Sequence, residues 1–150
     1  MSLLSSMNIT GSALTAERLR MDIALQNIAH ARTTRTAETP EGADPEPYRR
    51  QQVVFQEQGV DFGGMLRKKR RETTGGGVRV TEVVESERDF IPVYDPDHPD
   101  ANDEGYVMYP NVNTTEERID LMAASNAYQA NLTALNIVKQ LALRSLEIGK

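Results

Sequence analysis

The N-terminal part of the chain carries hydrophobic side chains at helical spacing. A stripe with a seven-residue repeat is formed by Met7, Leu14, Met21 and Ile28. Neither glycine nor proline interrupts the sequence between Ser12 and Thr39, and Thr10 or Ser12 suits the N-cap position. The threonine-rich residues 33–36 disfavour a helix. The pattern therefore predicts a helix that begins at Thr10 or Ser12 and ends before this stretch.

The C-terminal part contains a longer helical pattern. Neither proline nor glycine occurs from Thr114 to Ile148. Apolar and small residues recur there at steps of three or four, at Leu121, Ala124, Tyr128, Leu132, Leu135, Val138, Ala142 and Leu146. Thr114 or Thr115 suits the N-cap, the acids that follow suit the positive end of the helix dipole, and Gly149 favours a stop. We predict one helix of roughly 34 residues, roughly 50 Å long.

The middle of the chain lacks helical periodicity. Residues 38–47 form a loop rich in proline, glycine and acid. Extended segments are predicted at Tyr48–Gln58, Val78–Val84, Phe90–Tyr94 and Tyr106–Tyr109. Pro92 restricts its segment to a sheet edge, because proline has no backbone donor. The sequence predicts an α+β fold, in which residues 1–36 and 110–150 form a helical domain and residues 37–109 form a β-rich unit with extended loops.

Composition limits the core that this chain can build. Hydrophobic residues make up 39% of it, but aromatic residues only 5%, and tryptophan is absent. Because aromatic side chains supply the largest burials, we expect a modest core and long helices that become ordered on assembly with other chains. Two interpretations of the helices stay open. They are core helices of a bundle, or arms that form a coiled coil with each other and with neighbours.

Charge and cysteine content narrow the function classes. The net charge is −5 and cysteine is absent. An acidic chain is a poor nucleic-acid binder, and without cysteine there is no disulfide or thiolate chemistry. No run reaches the roughly 18 apolar residues of a membrane span. The N-terminus also lacks the features of a cleaved secretory signal.

The acidic stretch 94–106 is the first candidate for chemistry. Asp100, Asn102 and Glu104 imitate the first half of a calcium-binding loop, but the twelfth position is Asn111 where a bidentate glutamate is required. The two histidines of the chain, His30 and His98, have no nucleophile nearby in the sequence. We therefore expect no metal, no cofactor and no catalytic residue. A metal-dependent hydrolase would need ligands that the sequence does not offer at suitable spacing.

A basic run at residues 67–71 is the second candidate. It is followed by three glycines at 75–77. Aromatic residues for base stacking are missing, and the glycines lack the Lys-Ser/Thr ending of a phosphate loop. Two interpretations stay open, a solvated loop and a contact with an acidic surface on a neighbouring chain, such as residues 82–104.

Seven segments together resemble the flagellar basal-body rod family, in particular its proximal rod members. They are Ile9–Leu14, Gln26–Ala31, Pro47–Phe55, Val93–Ala101, Gly105–Val107, Pro110–Asn113 and Ala124–Asn131. The resemblance implies a structural subunit whose terminal helices pack as a coiled-coil-like pair in an inner domain lining a central channel. The β-rich unit would lie outside. Such subunits assemble helically and transmit torque.

The resemblance also implies location and partners. A rod subunit lies in the basal body, crosses the periplasm with the rod, and leaves the cell through the flagellar type III export apparatus without a cleaved signal peptide. Its partners would be other rod proteins, copies of itself and that apparatus, with neither nucleic acid binding nor direct membrane insertion. The alternative is a cytosolic helical adaptor or export chaperone that binds amphipathic partner helices.

The assembly that the resemblance implies also indicates which residues pack the helices. We expect Leu14, Met21 and Ile28 to pack with Tyr128, Leu135, Val138 and Leu146. Four amides, Asn27, Asn126, Gln129 and Asn131, should be buried or half-buried and fix register. The full set is Leu14, Met21, Ile28, Asn27, Leu121, Asn126, Tyr128, Gln129, Asn131, Leu135, Val138 and Leu146.

Overall fold

The computed structural model describes residues 3–36, 45–58 and 76–148 as two long helices and two small antiparallel sheets. In chain order the elements are α1 (Leu3–Ala29), β1 (Gln51–Glu57), β2 (Val78–Glu85), β3 (Ile91–Tyr94), β4 (Tyr106–Tyr109) and α2 (Thr114–Ile148). The predicted α+β fold is confirmed. All four predicted extended segments contain a strand, and α2 has the predicted bounds. Residues 1–2, 37–44, 59–75 and 149–150, which include the basic run at 67–71 and the predicted helix stop at Gly149, lie outside the described residues.

Helix α1 begins earlier than the sequence pattern predicts. It already includes Leu3 and continues through Gly11. The Thr10 hydroxyl donates to the carbonyl of Ser6 at 2.7 Å, and the Ser12 hydroxyl donates to the carbonyl of Ile9 at 2.7 Å. Both hydroxyls therefore bond to the preceding turn, as mid-helix hydroxyls do. The prediction that one of them caps the helix is wrong.

The N-cap of α2 is Asn113. Its Oδ1 accepts a hydrogen bond from the backbone N–H of Thr115 at 3.0 Å, which satisfies a donor that the first turn leaves free. Its carbonyl accepts from the N–H of Glu117 at 3.0 Å. The predicted caps at Thr114 and Thr115 are therefore wrong by one or two positions, whereas acids do occupy the first turn.

The two helices pack antiparallel. The side chain of Asn27 bonds to that of Glu117, and Arg20 pairs with Asp120 at 3.4 Å. Residues of α1 and α2 whose numbers add to about 140–144 therefore lie side by side. Leu14 is accordingly level with Tyr128.

This register separates part of the N-terminal stripe from the residues predicted to pack against it. Within one chain Met21 and Ile28 lie level with the first two turns of α2, far from Leu135, Val138 and Leu146. The pairing of these residues stays a prediction for contacts between chains.

Each sheet is a two-stranded antiparallel pair. In the first, β1 pairs with β2 from Gln51 opposite Glu85 to Glu57 opposite Val78, with a bulge at Val54 and Phe55. In the second, β3 pairs with β4, and Pro92 lies opposite Met108. With two strands every strand is an edge, so the missing donor of Pro92 is tolerated.

The core is small and lies where the helices meet the sheets. Its buried apolar side chains are Ala16, Ala24, Pro47, Tyr48, Val107, Pro110, Val112 and Ala124. Small residues on both helices allow their axes to approach closely. Over the part of the chain that the structure describes, neither helix has the combination of length and apolarity that a bilayer span requires.

Candidate functional site

The most buried polar side chains gather at the end of the helix pair that faces the sheets. We call this cluster the polar junction, and it comprises Asn27, Tyr48, Arg50, Asn111 and Glu117, each at most 8% exposed. It joins the last turn of α1, the segment before β1, the segment before α2 and the first turn of α2. Buried polar groups destabilise a fold unless they are paired, so the pairing decides what the cluster does.

Asn27 uses its whole hydrogen-bonding capacity. Its Oδ1 accepts from the Tyr48 hydroxyl and from the N–H of Gln51, both at 2.9 Å. Its Nδ2 donates to the carbonyl of Gln51 at 2.8 Å and to Glu117 Oε2 at 2.9 Å. This amide thus pairs with the backbone of β1 on one side and with α2 on the other. It fixes the position of α1 against both.

Arg50 and Glu117 form a buried ion pair. Arg50 Nε donates to Glu117 Oε1, and the side chains are 9% and 2% exposed. Arg50 Nη2 also lies 3.5 Å from Asp120, whose side chain is 42% exposed. Because Glu117 Oε2 accepts from Asn27, both carboxylate oxygens are bonded. The two charges are therefore paired and hydrogen-bonded inside the protein, which is the condition for burying them.

Tyr48 closes the junction on the side of α1. Its ring stacks on His30 with centroids 4.8 Å apart and an interplanar angle of 25°. Burial raises the pKa of the Tyr48 hydroxyl, and the negative charges of Glu117 and Glu85 raise it further. The hydroxyl therefore keeps its proton and serves as the donor to Asn27.

Asn111 connects the second sheet to the junction. Its Oδ1 accepts from the N–H of Arg50 at 2.9 Å. Its Nδ2 donates to the carbonyls of Arg88 at 2.7 Å and Ser86 at 3.3 Å. The N–H of Ser86 in turn donates to the carbonyl of Arg50 at 2.7 Å. The chain leaving β2 is thereby held against the chain entering β1.

The acidic stretch 94–106 packs against the segment that follows α1. Asp100 accepts from the Thr34 hydroxyl at 2.8 Å and forms an ion pair with Arg35 at 3.0 Å. The hydrogen bond from Thr34, and then the contacts with Arg35, hold the pKa of Asp100 below its usual value. Asn102 Oδ1 accepts from the N–H of Tyr106 at 2.8 Å and of Glu104 at 3.1 Å. The side-chain oxygens of Asp100 and Asn102 therefore accept hydrogen bonds from other groups of the same chain.

Across the described ranges no three carboxylates or histidines lie close enough together to hold a metal ion.

The sequence-predicted assembly residues divide into three groups. Asn27 lies in the polar junction. Eight are half-buried along the helix pair, namely Leu14, Met21, Ile28, Leu121, Tyr128, Asn131, Leu135 and Val138. In the single chain Asn126, Gln129 and Leu146 are exposed. The structure therefore brings the first two groups together and leaves the third facing outward.

Sequence reasoning missed four members of the polar junction, Tyr48, Arg50, Asn111 and Glu117. One signal was available. Tyr48 and Arg50 lie two residues apart at the start of the predicted strand, and residues two apart in a strand point to the same side. An acid in the first turn of a helix is already favoured by the helix dipole, so nothing in the pattern marked Glu117 as a member of a buried cluster. The partner of Asn111 is 61 residues away in the sequence.

The outer side of α2 exposes large hydrophobic side chains. Ile119, Met122 and Ile137 are 62%, 65% and 53% exposed. The last turns add Leu141, Leu143 and Leu146 at 52%, 53% and 71%. We call Ile119, Met122 and Ile137 the outer face. Large apolar side chains exposed on one side of a helix favour association with another protein.

Comparisons with known proteins match the resemblance seen in the sequence. A family model described as "Flagellar basal body rod FlgEFG protein C-terminal" matches residues 103–148. The flagellar basal-body rod protein FlgC of Bacillus subtilis is 42% identical over 147 residues, which cover 97% of this chain and 97% of that protein. FlgC of Escherichia coli O157:H7 is 39% identical over the full length of both chains. FlgC of Borreliella burgdorferi is 38% identical over 99% of this chain and 98% of its own.

Proposed function

The chain belongs to the FlgC family of flagellar basal-body rod proteins, and from this premise we propose how it assembles. It is a structural subunit of the bacterial flagellar basal-body rod and associates with other rod proteins. We propose that the outer face of α2 is buried against neighbouring subunits, and that the polar junction holds each subunit in the shape this contact requires.

The observation that carries the proposal is the uncharged character of the exposed helix. From Leu121 to Val138 the sequence has no charged residue, although Met122 and Ile137 face outward. The exposed side of a helix in a monomeric protein is normally charged. A helix without charges on either side is suited to burial on both, here against α1 and against a second molecule.

The polar junction supplies the rigidity that a repeated contact needs. A helical assembly multiplies any error in subunit shape along its length, so the angle between the helix pair and the sheets must be fixed. Asn27, Arg50 and Glu117 fix it with directional bonds that hydrophobic contacts do not provide. We propose that this is the main role of the junction, and that the protein is not an enzyme.

Partners and domains are proposed on the same basis. The helical residues 1–36 and 110–150 would form the inner domain that lines the channel, and residues 37–109 the outer one. The neighbours would be other rod proteins and copies of this chain, and the chain would reach them through the flagellar type III export apparatus. Rigid inner packing would then transmit torque along the rod.

The test is a charged outer face. A variant with Ile119→Asp, Met122→Asp and Ile137→Asp should fold as the wild type does, because these side chains are exposed in the single chain. In a bacterium lacking its own FlgC, we expect that this variant fails to enter basal bodies and fails to restore swimming. Purified basal bodies would be assayed for the chain, and unfolding curves of the free variant would be compared with those of the wild type.

A matched control changes exposed residues of the β-rich unit, with Glu82→Gln, Glu87→Gln and Asp103→Asn. It should assemble normally. Wild-type incorporation of the outer-face variant would contradict the proposed interface. Retention of the wild-type chain in the cytoplasm, bound to one exported protein, would favour the adaptor function instead.

A further inference from the structure

The second sheet, β3 with β4, exposes an apolar face. Directly opposite residues of an antiparallel pair lie on the same face, and here Pro92 is opposite Met108 while Tyr94 is opposite Tyr106. All four side chains are exposed, Tyr94 at 66%, Met108 at 41% and Tyr106 at 40%. We call these four residues the aromatic face. The polar junction and the outer face of α2 do not include any of them.

The aromatic face is held in a fixed shape. The rings of Tyr94 and Tyr106 meet edge to face, with centroids 5.3 Å apart. Gly105 has a φ of 82°, which other residues rarely adopt, and a Cβ added there would lie 3.0 Å from the Tyr94 ring. The N–H of Asp95 donates to the carbonyl of Gly105 at 3.0 Å. A partner therefore meets a preformed surface and avoids the cost of ordering a loose one.

Unpaired acids flank the strands of the aromatic face. Residues 89–109 contain six acids and neither lysine nor arginine. Asp100 is paired with Arg35. Within the ranges that the structure describes, the other five form no ion pair, namely Asp89, Asp95, Asp97, Asp103 and Glu104. Stacking of two such faces on each other would bring like charges together, so the partner that fits is both apolar and basic.

A segment of that chemistry occurs in this sequence. Five consecutive bases at residues 67–71 directly follow Met65 and Leu66, and elsewhere the chain has at most two adjacent bases. Arginine and lysine side chains pack on tyrosine rings and pair with carboxylates, so this basic run can meet the tyrosines and the acids together. Although the run lies outside the described residues, its chemistry is fixed by the sequence.

The run of a chain cannot cover that chain's own aromatic face. The loop re-enters the described structure at Gly76, and the next residue, Gly77, lies against Ser12 of α1. The second sheet lies at the other end of β2, eight residues or about 26 Å away, and the β3–β4 connection contacts Arg35, beyond the end of α1. Arg71 precedes Gly76 by five residues, which span at most about 18 Å. A run on the aromatic face must therefore come from another molecule.

We propose that the aromatic face binds the basic run of a second copy of this chain, with the bases on Tyr94 and Tyr106 and paired to the unpaired acids. The inference rests on the proposed assembly function and specifies one of its contacts. A second copy is selected because each copy carries one such run and one such face, which fit each other but do not meet within one chain. Run and face are different surfaces, so the contact is head-to-tail and repeats from copy to copy in a helical array.

Charge reversal tests the pairing in a bacterium that lacks its own FlgC. One variant carries Lys68→Glu and Arg70→Glu, and a second carries Asp97→Lys and Glu104→Lys. Each places like charges together and is expected to lower the amount of chain in purified basal bodies about tenfold. A chain with all four changes restores opposite charges and should return to near the wild-type level. Wild-type incorporation of either paired variant, or no recovery in the fourfold variant, would contradict the contact.

The control variant described above touches this surface at one position. Asp103→Asn removes one of the unpaired acids and reverses none, so that variant should still assemble.

Disulfide trapping tests which molecule occupies the aromatic face, since the wild-type chain has no cysteine of its own. A chain with Arg70→Cys and Met108→Cys should give a ladder of cross-linked multimers in oxidised basal bodies. The matched control carries Arg70→Cys and Val93→Cys. Val93 is as exposed as Met108, at 41% each, but lies on the opposite face of the same sheet. The control should therefore give no ladder.

The outcomes separate this contact from the general function. Basal bodies that contain the Met108→Cys chain but show only monomers, ladders equal to those of the control, or cross-links to a different protein would overturn the proposed contact and leave the rod function intact. Absence of the wild-type chain from basal bodies would instead overturn the proposed function.

Discussion

At the scale of a single residue, the hydroxyl of Tyr48 allows the contribution of the polar junction to stability to be measured. It donates to Asn27 Oδ1, which otherwise accepts only from the backbone of β1. Tyr48→Phe removes this donor from a buried acceptor and should lower the free energy of unfolding by roughly 1–2 kcal/mol at neutral pH. Urea unfolding of the free chain measures the loss, and Tyr94→Phe, at a residue 66% exposed, is the control that should change little.

The same residue predicts an alkaline limit to stability. Because the pKa of Tyr48 is raised in the folded state, the folded chain binds this proton more tightly than the unfolded chain. The stabilisation is complete below the unfolded pKa of about 10 and is lost as pH rises through the higher folded value. The wild type should thus lose stability above about pH 10, whereas Tyr48→Phe should lose less. Parallel loss in both proteins would contradict the assignment.

Gly77 tests the contact between the first sheet and α1. A Cβ at this position would lie 2.8 Å from Ser12 Oγ and 3.1 Å from Gln58 Oε1. Ser12 Oγ cannot move freely, because it accepts from the N–H of Val78 at 3.0 Å and donates to the carbonyl of Ile9. Gly77→Ala should therefore destabilise the chain by about 1–2 kcal/mol in urea unfolding.

The neighbouring glycine provides the control for that substitution. At Gly76 an added Cβ would meet, among the described residues, the Ile9 side chain at an ordinary 3.5 Å. Gly76→Ala should therefore be neutral or slightly stabilising. Equal destabilisation by both substitutions would show that the contact with Ser12 is not the cause.

At the scale of elements, Glu117 and Asp120 are two acids on one helix whose contributions to stability should differ because their burial differs. Both face Arg50, but their side chains are 2% and 42% exposed. Glu117→Gln leaves the buried charge of Arg50 without its main partner and should cost about 3–5 kcal/mol. Asp120→Asn should cost under about 1 kcal/mol. Equal losses in denaturant unfolding would contradict the account of the junction.

The junction also alters the sequence-based prediction that both helical arms are ordered only on assembly. Buried residues lie at the junction end of the helices, including Ala24, Asn27 and Ala124. From Ser125 to Glu147, all within the described part of α2, no residue is buried. Amide exchange in the free chain should therefore be slowest in residues 20–29 and 114–124, and faster toward the other end. Uniform protection along α2 would contradict this gradient.

At the scale of the whole molecule, the fold was predictable wherever a pattern is local. The helical stripes and the strand segments depend on spacing along the chain, and these predictions match. The early start of α1 was missed because Gly11 and several hydroxyls suggest a cap, although their cost within a packed helix is small. Register was not predictable, because the bonds of Asn27 and Arg50 join residues that are far apart in the sequence.

The candidate site was predictable only in part, for the same reason. Exposed apolar residues at helical spacing cannot be told from core residues until the packed side of α2 is known. Ile119, Met122 and Ile137 accordingly went unremarked, and Leu135 and Val138 were selected from the side that packs on α1. The resemblance to rod proteins supplied the function, whereas the structure supplied the surface through which the function is proposed to act.

The most direct test of that surface is the accessibility of one position on the outer face. The chain has no cysteine, so Ile137→Cys introduces a single thiol, and a maleimide measures its reactivity in the free chain and in purified basal bodies. We expect rapid labelling of the free chain, where Ile137 is 53% exposed, and protection in basal bodies that contain the chain. Equal labelling in the two states would contradict the claim that the outer face of α2 is buried when the rod assembles.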